Sequence, residues 1–466
     1  MTKERKYIES VPGARRLINS LRDLGYDFVK AAADIVDNSI EAGADIIRIR
    51  MEFNGDHSWF QVADNGRGMN GDELNEGMRF GTEREYKPNE LGKFGLGMKT
   101  ASISQCRKVT VASRNNYPAG DIEIRQLNLD LIEETNRWEI VSIPKEDYSE
   151  ALWRSLLDHT GTVVQWENLD RMLQYDPPDG MRARSGFMRL IRELEEHLSM
   201  VFHRFLSGEI EGRRKLEITI NDVPLEAWDP FAREERNTLK LKESTIPIVG
   251  SGGLFSVHVS PYVLPSREKF SSTEAFKRSS GPSKWNAQQG FYIYRHNRMI
   301  QAGNWCRMRT ADEHTKLARI ALDLDSRSDS SLGLNIMKSS IIFPENMKKS
   351  LSEIVDETVK LARKAYTPDG KTEKPYPNLN GGTMATRSVS VSPLFGVHGD
   401  MPHVEVQANK ERTEQQHQSD HSTGEVQTPG MILERAAEIV GESKALTKIK
   451  NVIVMQNPDI AKMLGW

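Results

Sequence analysis

A chain of 466 residues with 38% hydrophobic and 28% charged side chains has the make-up of a soluble globular protein of two or three domains. Its formal net charge of −3 gives no global attraction to nucleic acid, although a local basic stripe is compatible with it, and its two cysteines, Cys106 and Cys306, exclude a disulfide framework and a cysteine-rich zinc site. The opening stretch MTKERKYIES has no apolar signal core and no apolar run reaches membrane-spanning length. The expectation is therefore a cytoplasmic protein, with a nuclear one also open, that is neither secreted nor embedded in a membrane.

The first periodic element is YDFVKAAADIVDNSIEAGA, a helix whose buried stripe is Phe28, Ala31, Ala32, Ile35, Val36 and Ile40 and whose stop is Gly43. DIIRIRMEF and WFQVADNG follow as alternating strands, the second ending at the turn signal Asn65-Gly66. Residues 80 to 100, FGTEREYKPNELGKFGLGMKT, read as a long polar, glycine-rich loop feeding a helix N-terminus. KVTVASR, IEIRQLNLD, RWEIVSI and GTVVQWENL are short alternating strands, expected to form a mixed sheet covered by helices on one side and to close a first domain near residue 180. SGFMRLIRELEEHLSMVFHRFLSG then reads as one long amphipathic helix ending at Gly208. Strand candidates KLEITIN, FSVHVSPYVL, GFYIYRHNRMI and 317–325, followed by the helical PENMKKSLSEIVDETVKLARKAY, make a second α/β domain over 181–366. Residues 367–430 are rich in Pro, Gly, Ser, Thr, Gln and His and read as a disordered linker, and 431–466 as a short helical tail.

The chemistry is concentrated in the first domain. Helical geometry puts residues four apart on one face, so the Asp34 carboxylate and the Asn38 amide can hold one ligand between them. VADNGRGM places Asp64 at a strand end, where it can accept a hydrogen bond from an exocyclic amine, with Gly66 and Gly68 where the chain must turn and let a flat ligand approach. LGKFGLGMK sets Gly92, Gly95 and Gly97 before a helix, an arrangement suited to phosphate, and TGTVVQWENL adds Gly161 and Thr162 at a strand start.

In this order the four pieces resemble the GHKL superfamily of ATPases and its α/β sandwich, the Bergerat fold. The nearest look is to MutL and MORC proteins, because DIVDNSIEAGADIIRIR is similar to their asparagine-box helix and following strand. The resemblance is strong over 28–170 and weaker to about 345. It implies ATP and Mg²⁺ as ligands, Asn38 on the metal, Asp34 as the base that takes a proton from attacking water, and Asp64 on the adenine amine with Gly66, Gly68 and Met69 beside the base. Gly92, Phe94, Gly95, Leu96, Gly97, Met98 and Lys99 would hold phosphate at the end of a lid, with Thr162 near Asp64. LGLNIMKSSIIFP resembles the segment by which such enzymes send a lysine, here Lys338, from a smaller transducer-like domain of the ribosomal-protein fold to the γ-phosphate. The family's catalytic residue at the Asp34 position is glutamate. Aspartate is one methylene shorter, so slow hydrolysis, or a non-hydrolysing ATP switch, also follows.

A nucleotide-dependent homodimer is the expected assembly. A histidine kinase would need an acceptor histidine ahead of the ATP domain, whereas the first histidine here is His57; full MutL would need a larger tail, and animal MORC proteins carry zinc-finger cysteines. His398, His403, His417 and His421 read as linker composition rather than a metal site. Asp323 and Asp325 share a strand face with no evident partner, and Arg295 and Arg298 read as structural or surface residues. The cluster EGRRKLE around Arg213 and Lys215 reads as a solvated turn and is the best candidate for a contact with DNA.

Overall fold

The computed structural model describes residues 12–23, 26–80, 97–250, 253–325 and 343–366, with a few positions between 446 and 461. The chain divides into two compact units, Met1–Pro375 and Tyr376–Trp466. In the second, Leu446, Thr447, Lys450, Val454 and Ala461 are helical, and the expected linker lies outside the described residues.

In the first unit the strands β1 (Ile46–Glu52), β2 (Trp59–Asp64), β3 (Lys108–Arg114), β4 (Glu123–Asn128), β5 (Val141–Ser142), β6 (Gly161–Glu167), β7 (Glu217–Ile220) and β8 (Val223–Pro224) form one sheet. Its order is β5-β4-β3-β6-β2-β1-β7-β8, antiparallel except where β7 joins β1 in parallel. The helices of this part are α1 (Ala14–Arg22), α2 (Phe28–Glu41), α3 (Gly71–Met78), α4 (Gly97–Ile103), α5 (Leu129–Thr135), α6 (Glu150–Trp153), α7 (Met181–Val201) and α8 (His203–Ser207).

The chain enters α2 because Asp27 caps it, accepting from the Val29 N–H at 3.2 Å. The predicted stripe is buried as expected, but so are Ala33, Asp37 and Ser39, because α2 is covered by the sheet, α4 and α7 together. Its run of alanines allows that close approach. The core below it joins Ile35 and Val36 to Ile47, Ile49, Phe60, Val62, Val111 and Trp166. A smaller apolar cluster, with Ala112, Val163, Leu152 and Leu156, covers the other face of the central strands. That second cover is why β2 and β3 are buried almost throughout, while β1 keeps a clean alternation.

The structure departs from the sequence reading in several places. RWEIVSI contributes only Val141–Ser142 as strand, at the sheet edge. The long helix begins at Met181 and breaks at Phe202, whose backbone (φ −105°, ψ 17°) leaves the helical region so that its ring can bury completely. Helix α1 is absent from the sequence reading, although Ala14 and Ile18 four residues apart are buried on one face; Arg22 fastens it, donating to Ile103 O at 2.7 Å and to Asp170 at 2.6 and 2.9 Å. Helix α3 is set by a capping box, Asn70 accepting from Glu73 N and Glu73 accepting from Asn70 N.

The second sheet comprises β9 (Leu239–Lys240), β10 (Ser244–Gly250), β11 (Gly253–Val263), β12 (Gly290–Arg295), β13 (Arg298–Gln301) and β14 (Ala318–Leu324), in the order β10-β11-β14-β12-β13 with β9 beside β11. The short helices α9 (Thr273–Ser279) and α10 (Lys284–Ala287) interrupt it, and α11 (Glu345–Tyr366) lies across one face through Met347, Leu351, Val355 and Val359. On the opposite face Trp228, Phe231, Tyr262, Tyr292 and Tyr294 form an aromatic layer that meets α8, where Tyr294 Oη and His203 Nε2 are 2.9 Å apart. Asp323 has a partner after all: Arg204 grips it with two guanidinium nitrogens while stacking 3.6 Å over the Tyr294 ring. No helix among the described residues is long and apolar enough to cross a membrane.

Trp166 anchors the larger core: it is fully buried, its ring 4.5 Å from that of Phe60, with Nε1 donating to Ser102 Oγ at 2.9 Å. Trp166→Ala should cost about 3–5 kcal/mol in urea or thermal unfolding. A loss below about 1 kcal/mol would show that this core does not carry the fold.

Candidate functional site

Asp64 ends β2, the central strand between β1 and β6. Its Oδ1 accepts from Gly66 N at 2.9 Å and from Thr162 N at 3.2 Å, and its Oδ2 accepts from Ser39 Oγ at 2.8 Å. A carboxylate offers roughly four lone-pair directions, so these three donors leave one on Oδ2 for a further donor. Burial raises the Asp64 pKa above the ordinary carboxylate range, while the three hydrogen bonds act in the opposite sense. Thr162 faces Asp64 across the β2–β6 ladder, and its hydroxyl lies 2.9 Å from Ser113 Oγ, which also accepts from Met69 N at 2.9 Å. Ser39 and Ser113 complete the pocket and are not evident from the motifs; the only sequence hint is that Ser39 directly follows Asn38.

The turn after Asp64 is stitched on both sides. Asn65 Oδ1 accepts from Asp45 N and Ile46 N at 3.0 and 2.9 Å, and Arg67 N donates to Ala42 O at the end of α2 at 2.9 Å. Glycine at two positions follows from this crowding. A Cβ on Gly66 would stand 2.8 Å from Ala42 Cβ, and one on Gly68, whose φ is +65°, would stand 1.9 Å from Arg114 O. Backbone packing therefore already requires glycine at both, whatever ligand lies alongside.

On α2, Asn38 is exposed and Asp34 is nearly buried. Asp34 Oδ2 accepts from Tyr26 Oη at 3.1 Å, and its Oδ1 lies 3.8 Å from Arg298 Nη2. Burial and the Asp34 charge together push the Tyr26 phenol well up. Asp37, almost wholly buried, is ion-paired with Arg298 Nε at 2.8 Å. Arg298 is thus not a surface residue: it is buried, carried on β13, and also 5.8 Å from the Phe202 ring.

Of the glycine-rich stretch, Gly92, Phe94, Gly95 and Leu96 lie outside the described residues, as does Lys338. Gly97 opens α4, Met98 is half-buried against the core, and Lys99 is buried with its ammonium donating to Gly77 O at 3.1 Å and to Arg79 O. Burial brings the Lys99 pKa down to about 8. Its charge ties α4 to the end of α3 here, a role the motif alone does not suggest. Arg213 is likewise engaged, donating to Ile40 O and Ala44 O at 2.9 and 3.2 Å, where it caps the end of α2; Lys215 is exposed.

Residues 26–162 match the family model for histidine kinase-, DNA gyrase B- and HSP90-like ATPases, so the chain carries a GHKL-type ATP-binding domain. A search of curated proteins finds no match. The residues present suit that ligand: a buried acceptor with one direction open for an amine, and on α2 an exposed neutral amide oxygen fit for a hard cation.

Asp64→Asn separates ligand recognition from folding. Because the folded-state pKa is raised, the Asp64 contribution to stability is present below the unfolded pKa and lost as pH rises through the folded one. An asparagine can keep both backbone bonds at its Oδ1 and donate its amide to Ser39 Oγ, which lies 3.4 Å from Ile35 O and can turn its proton there. The variant should match or exceed the wild-type melting temperature at neutral pH without nucleotide, yet lose adenine nucleotide affinity by roughly 1–3 kcal/mol in calorimetry. Unchanged affinity would remove Asp64 from the base pocket.

Proposed function

We propose that the protein is an ATP- and Mg²⁺-dependent GHKL ATPase of MutL/MORC-like type, in which nucleotide binding orders a lid and closes two copies together. The observation that carries the nucleotide reading is Asp64, a buried carboxylate held by three donors with one direction open, beside Thr162. In this reading Asp64 accepts the adenine amine, Gly66, Gly68 and Met69 border the base, and Asn38 supplies the oxygen for Mg²⁺. Residues Gly92 to Lys99 hold phosphate, and Lys338 reaches the terminal phosphate. A Mg²⁺ held through Asn38 would supply charge neutralisation at the phosphates, while Asp34 takes the proton of the attacking water. Residues 1–180 and 181–366 act as ATP-binding and transducer-like domains. A cytoplasmic or nuclear setting and a DNA substrate belong to the same reading.

A second reading is favoured by Asp34 itself, which is one methylene shorter than the glutamate of the family and already held by Tyr26. It makes the protein a switch that binds ATP without turning it over. Phosphate release decides between the two. If Asp34 is the base, Asp34→Asn should keep ATP binding and lose about 10²–10⁴-fold in turnover. Wild type with saturable ATP binding and no release above background supports the switch.

Closure has its own test. A non-hydrolysable ATP analogue with Mg²⁺ should shift the protein from monomer toward dimer in light scattering, because a ligand moves an equilibrium only through its preference for one state. A saturated protein that remains monomeric over a wide concentration range would rule out the clamp.

A further inference from the structure

Arg298 stands on β13, in the second sheet, but the two ion pairs described for its charged end are with helix α2. Its Nε is 2.8 Å from Asp37, its Nη2 is 3.8 Å from Asp34, and its Nη1 donates to Met299 O at 3.2 Å. The guanidinium is buried, so these interactions are little screened by solvent. The Asp34 carboxylate borders a cleft of about 200 Å³ lined also by Tyr26, Lys30, His197, Arg298 and Gln301, large enough to admit water beside it. We propose that Arg298 is a positioning residue for hydrolysis: anchored on Asp37, it holds the shorter Asp34 side chain in place as an ionised base from the second sheet.

Resting as it does on the reading of Asp34 as the base, the inference explains how an aspartate serves where the family uses glutamate. Tyr26 and Arg298 approach Asp34 on its two oxygens, one from the chain just before α2 and one from β13. A fork with one nitrogen on Asp37 and another toward Asp34 fixes the distance between the two carboxylates, which a single-point cation does not. Any displacement of the β12–β13 hairpin then moves the base.

The charged and titratable groups facing Asp34 among the described residues are Tyr26, Lys30 and Asp37 from α2 and the chain before it, His197 from α7, and Arg298 from β13. Burial and the nearby cations push the His197 pKa down to about 3, so it stays neutral through the range where hydrolysis is measured. Removing the Arg298 charge takes away a buried cation that favours the ionised form of Asp34, and the Asp34 proton should bind more tightly.

The test measures ATP affinity by calorimetry and the pH dependence of kcat for wild type, Arg298→Gln and Arg298→Lys. Glutamine keeps an amide that can donate to Asp37 but loses the charge; lysine keeps the charge but loses the fork. Both variants should bind ATP within about threefold of wild type. Arg298→Gln should lower kcat about tenfold or more and move the acid limb up by about one pH unit. Arg298→Lys should lower kcat about three- to tenfold with the limb in place. An unmoved limb in Arg298→Gln, or wild-type kcat in either variant, overturns the proposal; if the glutamine variant does not fold, the lysine variant alone decides it. A wild type that binds ATP without hydrolysing it overturns this proposal but leaves nucleotide binding intact, whereas one that binds no ATP overturns the nucleotide reading itself.

Discussion

A carboxylate can stay inside a protein only if donors surround it, and the donors to Asp64 come from three separate pieces of chain: Ser39 on α2, Gly66 in the turn after β2, and Thr162 at the start of β6. Each bond also sets the place of the element that makes it. The turn is drawn back against the strand end, α2 is held against the end of the central strand β2, and β6 is locked in register with β2. Their combined effect does not fully offset burial, since the Asp64 pKa remains raised. An ionised Asp64 is therefore costly in the free protein, and under the proposed reading a ligand amine in its open direction would lower that cost.

Helix α2 meets its surroundings on three faces. Through Ser39 it reaches Asp64, through exposed Asn38 the solvent side, and through Asp34 and Asp37 the hairpin of the second sheet. Alanines at 31 to 33 let it lie close to its neighbours, so a shift of the helix is felt at all of these points. Arg213 fastens its C-terminal end, and Arg298 fastens its middle. Two arginines that follow α2 by well over a hundred residues thus determine how it sits, and the second sheet is part of the structure that supports the site.

Much of the site was legible from local patterns. The asparagine helix, its cap-to-glycine length, the strand ending at Asp64, the glycines after it and the strand opening at Thr162 all follow from periodicity and turn chemistry, which act over a few residues. The failures share a cause. RWEIVSI alternates like a strand but lies at an edge with pairing for only two residues. The amphipathic run through Phe202 looks continuous, but burial of that ring breaks it. Asp323 looked unpartnered, Arg213 solvated and Arg298 either structural or surface, because the groups that engage them, Arg204, two carbonyls at the end of α2, and Asp37, are remote in sequence.

The sequence by itself determined which residue types stand where a nucleotide site needs them: a carboxylate at a strand end, an amide on a helix four residues after an acid, glycines in the turn that follows the strand. These are properties of short stretches, and chain geometry fixes them wherever the stretch lies. Tertiary structure alone decided further partners of those groups: Ser39 for Asp64, Tyr26 for Asp34, and Arg298 for Asp37. The physical reason is that burial and ion pairing depend on what the folded chain brings within a few ångströms, and Arg298 meets Asp37 across 261 positions of sequence that no local pattern spans.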